Sequence, residues 1–188
     1  MFTGIVQAVG SIVRVNPLEV DCAGLDLAGV RVGDSICVQG VCLTVTTIRP
    51  RGFTADVSEE TLRVTAGLDR PGAVNLEKSL AVGDLLGGHL VTGHVDGVGE
   101  VMQRNGTVVA FKVPKELSRY VARKGSVCVD GVSLTVNRVN GEVFEANLIP
   151  HTLQVTTLAR LAPGVRVNLE VDLVARYVER IIGGSSGV

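Results

Sequence analysis

Two stretches of eleven residues decide the organisation of this chain: SICVQGVCLTV at positions 35–45 and SVCVDGVSLTV at positions 126–136. Eight of the eleven positions are identical, and the second stretch begins 91 residues after the first. Shorter matches keep nearly the same spacing on both sides: Thr3-Gly4 with Thr92-Gly93, Thr61-Leu62 with Thr152-Leu153, and VNLE at 74–77 with VNLE at 167–170. The chain is therefore an internal duplication.

Each copy has the size of a small domain. The repeat units of solenoid proteins are roughly 20–45 residues long, whereas these copies contain about 90 residues. We predict one domain at residues 1–86, a second at 87–172, and a tail at 173–188. The junction at 81–90 contains three glycines and no long linker, so we expect the two domains to lie close together.

Composition excludes several classes of protein. The 188 residues carry 18 Lys and Arg against 19 Asp and Glu, and 46% are hydrophobic. A disordered chain is excluded because apolar content is high and net charge is near zero. A nucleic-acid partner is not expected, because there is no basic surplus to neutralise phosphates and aromatic residues make up only 3%.

The chain also has no feature that predicts a membrane partner or export. No apolar run approaches the ~20 residues that span a bilayer, and the N-terminus lacks the basic and apolar regions of a signal peptide. We therefore expect a cytoplasmic protein. The four cysteines form no CxxC pair and are expected to be free thiols.

The residue content favours an all-β protein. Val occurs 35 times and Gly 23 times, which suits pleated strands joined by tight turns. A strand is predicted over 3–15 and another over 42–48, in which Cys42 and Thr44 share one face and Leu43 and Val45 share the other. About six strands per copy can avoid exposed edges by closing into a barrel. Short helical stretches are predicted at 59–62 and 114–123.

The tail is predicted to be a helix. Asp172 can cap its N-terminus, and apolar pairs recur every four residues at 173–174, 177–178 and 181–182. Gly183-Gly184 is expected to end it. A helix of about ten residues is marginal alone in water, so the apolar stripe must pack either on its own barrel or on another chain.

Several motifs together resemble riboflavin synthases of the single-chain, trimeric type. These are MFTGIV at 1–6, GVCLTV at 40–45, GHLVTGH at 88–94, DGVSLTV at 130–136 and IPHTL at 149–153. The resemblance covers the whole chain in order, including the duplication. It implies two six-stranded Greek-key barrels with a C-terminal helix, and a homotrimer whose active sites lie between the first barrel of one subunit and the second barrel of a neighbour.

The resemblance also implies a reaction. Two molecules of 6,7-dimethyl-8-ribityllumazine exchange a four-carbon unit to give riboflavin and 5-amino-6-ribitylaminopyrimidinedione, with no metal or redox cofactor. A duplicated domain offers two similar sites for two copies of one substrate, and orienting two reactants can lower a barrier by ~7–11 kcal/mol. Association with lumazine synthase is a further partner that the resemblance leaves open.

The two copies differ at one informative position. Cys37 and Cys128 are equivalent and are expected to be small buried hydrophobes, but the counterpart of Cys42 is Ser133. This asymmetry inside a repeated motif indicates that the two sites do different work. In the family the corresponding Cys and Ser lie at the ligand, although a buried structural thiol remains the alternative for Cys42.

His94 is the second candidate. Its repeat partner is Ile5, so a barrel core does not require it. It is either a solvated histidine or an acid–base group beside the substrate methyl that must lose a proton. Thr44, Ser133 and Thr135 are either ordinary strand hydroxyls or hydrogen-bonding partners of the pteridine.

The resemblance therefore gives two sets of residues. The catalytic candidates are Cys42, His94, Ser133 and Thr135. The substrate-binding candidates are Gly4, Ile5, Val6, Cys42, Leu43, Thr44, Asp56, Glu60, Thr61, Gly93, His94, Val95, Lys124, Ser133, Leu134, Thr135, Leu148, Ile149, Pro150 and Thr152. Asp172 either caps the tail helix or lies near the site.

Two rival interpretations stay open at this point. One is a non-catalytic lumazine- or flavin-binding protein on the same scaffold. The other is a purely structural β-repeat protein, which would not need the difference between Cys42 and Ser133.

Overall fold

Twelve strands form the framework of residues 1–183, the part of the chain that the computed structural model describes. The first copy contains β1 (Ala8–Val15), β2 (Leu18–Asp21), β3 (Ser35–Val38), β4 (Val41–Arg49), β5 (Gly52–Ala55), helix α1 (Glu59–Val64) and β6 (Gly72–Lys78). The second contains β7 (Gly97–Asn105), β8 (Val108–Lys112), β9 (Ser126–Val129), β10 (Val132–Asn140), β11 (Val143–Asn147), helix α2 (Pro150–Val155) and β12 (Arg166–Val171). The tail helix α3 (Leu173–Gly183) follows the second copy.

Each copy forms a closed antiparallel barrel. The strand order is β1-β2-β5-β4-β3-β6 in the first barrel and β7-β8-β11-β10-β9-β12 in the second, so the two topologies are the same. Closure removes the unpaired edges that six short strands would otherwise expose. The predicted all-β fold of two six-stranded Greek-key barrels with a C-terminal helix is confirmed.

The duplication extends to irregularities in the sheets. Register shifts occur at Ile12–Arg14 in β1 and at Val101–Gln103 in β7, and again at 45–47 in β4 and 136–138 in β10. A bulge bends a strand and increases its twist, which a small barrel needs in order to close. Equivalent bulges therefore give the two copies the same curvature.

Each barrel has its own core. Along β4 the side chains of Val41, Leu43 and Val45 are buried, whereas Thr44 is exposed and Cys42 is partly buried. This is the alternation predicted for the strand, and it fixes which face of β4 is available to a ligand. A third, small cluster of Phe2, Cys37, Val91 and Cys128 lies between the barrels.

The structure corrects several boundaries. The strand predicted over 3–15 begins only at Ala8, because Gly4 has a φ of +75° and residues 3–7 leave the sheet. The helical stretch predicted over 114–123 is a 3₁₀ turn at Lys115–Tyr120. The sequence prediction did not name β2 or α2, which are only four and six residues long.

The turns of the two quoted stretches meet at the interface between the barrels. Gln39-Gly40 and Asp130-Gly131 both have positive φ at each residue, as a type I′ hairpin turn requires. A Cβ on Gly40 would lie 2.8 Å from the Gly131 backbone nitrogen, so only glycine permits this close approach. Gln39, an unusual residue for such a turn, is held by a hydrogen bond from the Asn75 amide to its Oε1 at 2.9 Å.

Two equivalent asparagines join the barrels. Asn75 Nδ2 donates to the Asp130 carbonyl at 2.8 Å, and Asn168 Nδ2 donates to the Gln39 carbonyl at 2.9 Å. Both asparagines are 1% exposed. Because a buried amide without partners is costly, these reciprocal bonds specify one arrangement of the two barrels.

Asp130 makes the stability of this interface depend on pH. Burial raises the pKa of Asp130 to about 7, against the opposing effect of hydrogen bonds from the Asn168 amide and the Gln39 side chain. A carboxyl with a raised folded pKa stabilises the fold most below its unfolded pKa, and this contribution is lost as pH rises through about 7. Asp130→Asn keeps an oxygen for the Asn168 amide and tolerates the positive φ.

We therefore expect the wild-type free energy of unfolding to fall by about 2–3 kcal/mol more than that of Asp130→Asn between pH 5 and pH 8. Urea unfolding at fixed protein concentration measures the difference, and the exposed Asp69→Asn is the control. Parallel pH profiles for wild type and Asp130→Asn would contradict the prediction.

Helix α3 presents its polar side to its own barrel. Arg176 pairs with Asp96, and Glu179 pairs with Arg119 and accepts a hydrogen bond from Tyr120. The predicted N-cap is present, since the Val174 amide donates to Asp172 Oδ1 at 2.9 Å. The helix extends through Gly183, and Gly184 lies outside the described residues. No helix within residues 1–183 is long and apolar enough to cross a membrane.

The apolar stripe of α3 points away from the barrel. Its side chains are between 47% and 67% exposed at Val174, Tyr177, Val178 and Ile182. Among residues 1–183, these four side chains are therefore not buried against the barrel of their own chain.

Candidate functional site

The residues that precede each barrel contact the other barrel: Gly4 contacts the second barrel, and Gly93 contacts the first. The Gly4 carbonyl accepts a hydrogen bond from the Ser133 amide, and the Gly93 carbonyl accepts one from the Cys42 amide, both at 2.8 Å. Phe2 and Val91 pair by two backbone hydrogen bonds between these segments. Strand β4 of the first barrel is thus covered by a loop of the second copy, and β10 of the second barrel is covered by a loop of the first copy.

Glycine is required at the two contact points. A Cβ on Gly4 would lie 2.6 Å from the Ser133 Cβ, and a Cβ on Gly93 would lie 2.7 Å from the Cys42 Cβ. Both glycines also have positive φ, +75° and +77°, which other L residues rarely adopt. The glycine of each Thr-Gly pair is therefore a structural requirement of the crossing.

Two buried carboxylates hold the crossing segments in place. Glu77 Oε1 accepts from both the amide and the hydroxyl of Thr3 at 2.7 Å, and its Oε2 accepts from the Gly4 amide at 3.0 Å. Glu170 makes the same three bonds to Thr92 and Gly93 at 2.6–2.8 Å. Burial raises the pKa of both carboxyls, and these hydrogen bonds oppose that shift.

The first of the two sites, called here the Cys42 site, consists of the outer face of β4 and the loop at 92–95. Cys42 is partly buried and Thr44 is exposed, and Gly93 packs on Cys42. His94 is exposed, and its amide donates to Thr92 Oγ1 at 3.2 Å. Val95 packs against the core of the first barrel.

Other candidates lie beside the Cys42 site. Asp56 is exposed and follows β5, which pairs with β4. The Ser58 hydroxyl caps α1 by accepting from the Thr61 amide at 3.0 Å, and Glu60 pairs with Arg63 on the outer side of that helix. The Leu43 side chain is buried in the barrel core, so only its backbone can face a ligand.

The second site, called the Ser133 site, consists of the outer face of β10, the loop at 4–6 and the linker residue His89. Ser133 is partly buried and Thr135 is exposed. Ile5 is 50% exposed, whereas Val6 packs against the core of the second barrel. The His89 Nδ1 atom lies 2.7 Å from Ser133 Oγ.

The remaining candidates lie around the Ser133 site. The exposed Lys124 has a φ of +69°, and its amide donates to the Val136 carbonyl of β10 at 2.8 Å. The segment from Leu148 to Thr152 follows β11, which pairs with β10. Ile149 and Pro150 are exposed and Thr152 is partly buried. The side chains of Leu134 and Leu148 are buried in the core.

The candidates thus separate into two groups, one around Cys42 and one around Ser133. Because the loops at 4–6 and 92–95 contact the opposite barrel, each group contains residues of both copies. Gly4, Ile5 and Val6 precede the first barrel but join the second site. Within residues 1–183, no group of three His, Cys, Asp or Glu side chains is placed to hold a metal ion.

Three residues of the sites were not among the predicted site residues: Glu77, Glu170 and His89. The two glutamates end the repeated VNLE motif, and an acidic residue kept in a buried strand of both copies was the available signal. His89 stands outside the repeat, and nothing in the sequence indicated that its imidazole would reach Ser133.

Comparison with known proteins identifies the fold and the family. A lumazine binding domain model matches the chain twice, over residues 3–79 and 92–172, so each match contains one barrel. The riboflavin synthase of Mycobacterium bovis is 50% identical over 97% of this chain and 98% of its own length. That of Photobacterium phosphoreum is 45% identical over 97% of this chain and 89% of its own.

The chain belongs to the riboflavin synthase family. The resemblance inferred from the motifs at 1–6, 40–45, 88–94, 130–136 and 149–153 is thereby confirmed. Both riboflavin synthases named above align with 97% of this chain.

Solved structures of related architecture carry ligands. LumP complexed with riboflavin superposes with a TM-score of 0.80 and 27% identity, over 91% of this chain and 99% of LumP. LumP complexed with 6,7-dimethyl-8-(1'-D-ribityl) lumazine superposes with a TM-score of 0.78 and 26% identity over the same shares. This chain therefore shares its double-barrel fold with LumP, which those structures show in complex with the lumazine and with riboflavin.

Proposed function

We propose that this chain transfers a four-carbon unit between two molecules of 6,7-dimethyl-8-ribityllumazine, giving riboflavin and 5-amino-6-ribitylaminopyrimidinedione. The observation that carries the proposal is the pair of sites on equivalent strands, each covered by a loop of the other copy and each with different polar groups. The two substrates and the two products contain the same atoms and electrons. The proposed reaction therefore needs no external oxidant or reductant, and we propose that it uses no cofactor.

The differences between the sites suit unequal roles for two identical substrates. The Cys42 site offers a thiol and the exposed imidazole of His94, which we propose accepts the proton lost from a ring methyl. The Ser133 site offers the hydroxyls of Ser133 and Thr135, which we propose hydrogen-bond the polar ring of the second lumazine. Holding two reactants in a productive orientation can contribute ~7–11 kcal/mol to lowering the barrier.

We further propose that the two sites that face each other belong to different subunits of a homotrimer. The support is the exposed apolar stripe of α3, whose polar side is already bound to its own barrel. A stripe of this kind is stable in water when it is buried against equivalent helices. Lumazine bound on the first barrel of one subunit would then meet lumazine bound on the second barrel of a neighbour.

A direct assay tests the reaction. The purified protein is incubated with 6,7-dimethyl-8-ribityllumazine alone, and riboflavin is followed by absorbance and chromatography. We expect one riboflavin for every two lumazines consumed. Tight fluorescent binding without riboflavin would instead establish the second candidate function, a lumazine- or riboflavin-binding protein, which the superposition on LumP favours.

Cys42→Ser tests the inequality of the sites. The substitution gives β4 the hydroxyl that β10 carries at Ser133, so we expect lumazine binding to persist. We expect kcat to fall about 100-fold, the lower end of the effect of losing an acid–base group. The buried Cys37→Ser on the adjacent strand is the control for thiol loss. Turnover of Cys42→Ser at the wild-type rate would show that the thiol has no special role.

A further inference from the structure

His89 is a buried polar residue next to the Ser133 hydroxyl, and the chemistry proposed above gives it no role. The residue is 8% exposed, and its Nδ1 lies 2.7 Å from Ser133 Oγ. Its Nε2 is buried, and no atom of residues 1–183 forms a hydrogen bond with it. One ring nitrogen is therefore committed to Ser133, and the other is surrounded by protein.

The backbone holds this imidazole in place. The His89 amide donates to the Thr3 carbonyl at 3.1 Å. At the preceding residue, a Cβ on Gly88 would lie 2.1 Å from the same carbonyl oxygen and 3.0 Å from Ser133 Oγ. The linker therefore lies directly against the Ser133 site, and only glycine at position 88 allows it to do so.

The contact is specific to one of the two sites. Within residues 1–183 no imidazole is hydrogen-bonded to the Cys42 thiol, although Gly93 covers Cys42 as Gly4 covers Ser133. The linker between the barrels thus adds to the second site a group that the duplication did not supply.

The environment favours a neutral ring with its proton on Nδ1. Burial lowers the pKa of His89, and the negative charge of Asp172 opposes this shift only in part. A neutral ring carries one proton. A proton on Nε2 would be a buried N–H without an acceptor, which is rarer in proteins than an unfilled acceptor. With the proton on Nδ1, the ring donates to Ser133 Oγ.

We propose that His89 is a positioning residue for Ser133: its Nδ1–H donates to Oγ and thereby directs the Ser133 hydroxyl proton toward the ligand of the second site. This inference rests on the function proposed above. It makes Ser133 a fixed hydrogen-bond donor, whereas a serine without this partner rotates and offers a donor or an acceptor.

Two substitutions distinguish the effect of the His89 hydrogen bond from the effect of the space that its ring fills. His89→Phe keeps a planar ring but removes the donor, and we expect kcat/KM for riboflavin formation to fall about tenfold, the equivalent of one lost hydrogen bond. His89→Asn retains an N–H near the position of Nδ1, and we expect it to stay within about threefold of wild type. Circular dichroism and thermal unfolding verify that both variants fold.

A double-mutant cycle identifies the group through which His89 acts. If the imidazole works through Ser133, His89→Phe has little further effect in a Ser133→Ala background. Multiplicative losses in the double variant, or equal losses in His89→Phe and His89→Asn, would overturn the inference and indicate a packing role.

The tautomer is measured on the wild-type protein, so the test does not depend on whether a variant folds. The chain has only three histidines, and in a sample labelled with ¹⁵N-histidine the His89 signals are those missing from His89→Asn. We expect a neutral ring protonated at Nδ1 at pH 7. An Nε2–H tautomer or a charged ring would overturn the inference, whereas a wild-type protein that forms no riboflavin would instead refute the proposed function.

Discussion

Removal of residues 173–188 is expected to leave two folded barrels and to abolish both assembly and riboflavin formation. Each barrel has its own core and closes without α3, so the fold does not need the helix. Four side chains of the apolar stripe, Val174, Tyr177, Val178 and Ile182, are however largely exposed in the single chain. In the proposed arrangement the two facing sites belong to different subunits, so a monomer could not orient two lumazines against each other. Losing the ~7–11 kcal/mol that orientation contributes would lower the rate by far more than 100-fold.

Sedimentation and the riboflavin assay on the same samples measure both outcomes. Val174→Glu should also dissociate the assembly, because it places a charge on a stripe residue that is 61% exposed in the single chain. Val32→Glu is the matched control, since Val32 is 64% exposed but lies far from α3 in the sequence. A truncated protein that sediments as a trimer, or a monomer with full activity, would defeat the proposal.

The second large effect is expected from Glu170→Ala, which should damage the Cys42 site although Glu170 belongs to the other barrel. The substitution removes the acceptor of three hydrogen bonds from Thr92 and Gly93. Leaving buried donors unpaired costs ~1–3 kcal/mol each before relaxation, and we expect a net loss of about 2–4 kcal/mol in the free energy of unfolding. The loop that carries His94 should then detach from Cys42.

Glu77→Ala is the matched variant, because Glu77 makes the same bonds to the loop that covers Ser133. The thiols report which loop has moved: Cys42 is partly buried, whereas Cys22, Cys37 and Cys128 are buried. We expect a maleimide to modify Cys42 faster in Glu170→Ala than in wild type, and at an almost unchanged rate in Glu77→Ala. Equal acceleration in both variants would mean that the glutamates act on the whole interface and not on one site each.

The stability cost and the site effect are separable in these two variants. Both lose three hydrogen bonds to an equivalent carboxylate, so their unfolding free energies should fall by similar amounts. Only the labelling rate at Cys42 should distinguish them.

The sequence by itself determined the duplication, the all-β class and the tail helix. These features are local or periodic: a strand such as β4 alternates buried Leu43 with exposed Thr44, and α3 repeats its apolar pairs every four residues. Side chains that alternate or repeat in this way identify the element and its buried face without knowledge of its neighbours. The difference between Cys42 and Ser133 was visible for the same reason, because the repeat supplied its own reference.

Only the tertiary structure decided which loop covers which strand, and therefore which residues form one site. The bonds that fix the crossing join Thr3 to Glu77, 74 residues apart, and His89 to Ser133, 44 residues apart. Such contacts leave no periodic signal, because they depend on how two closed barrels fit together. The same holds for α3, whose apolar stripe was predicted from the sequence. The direction in which the stripe faces depends on the ion pairs of Arg176 with Asp96 and of Glu179 with Arg119, which hold the polar side of the helix on the barrel. The apolar side chains therefore face outward.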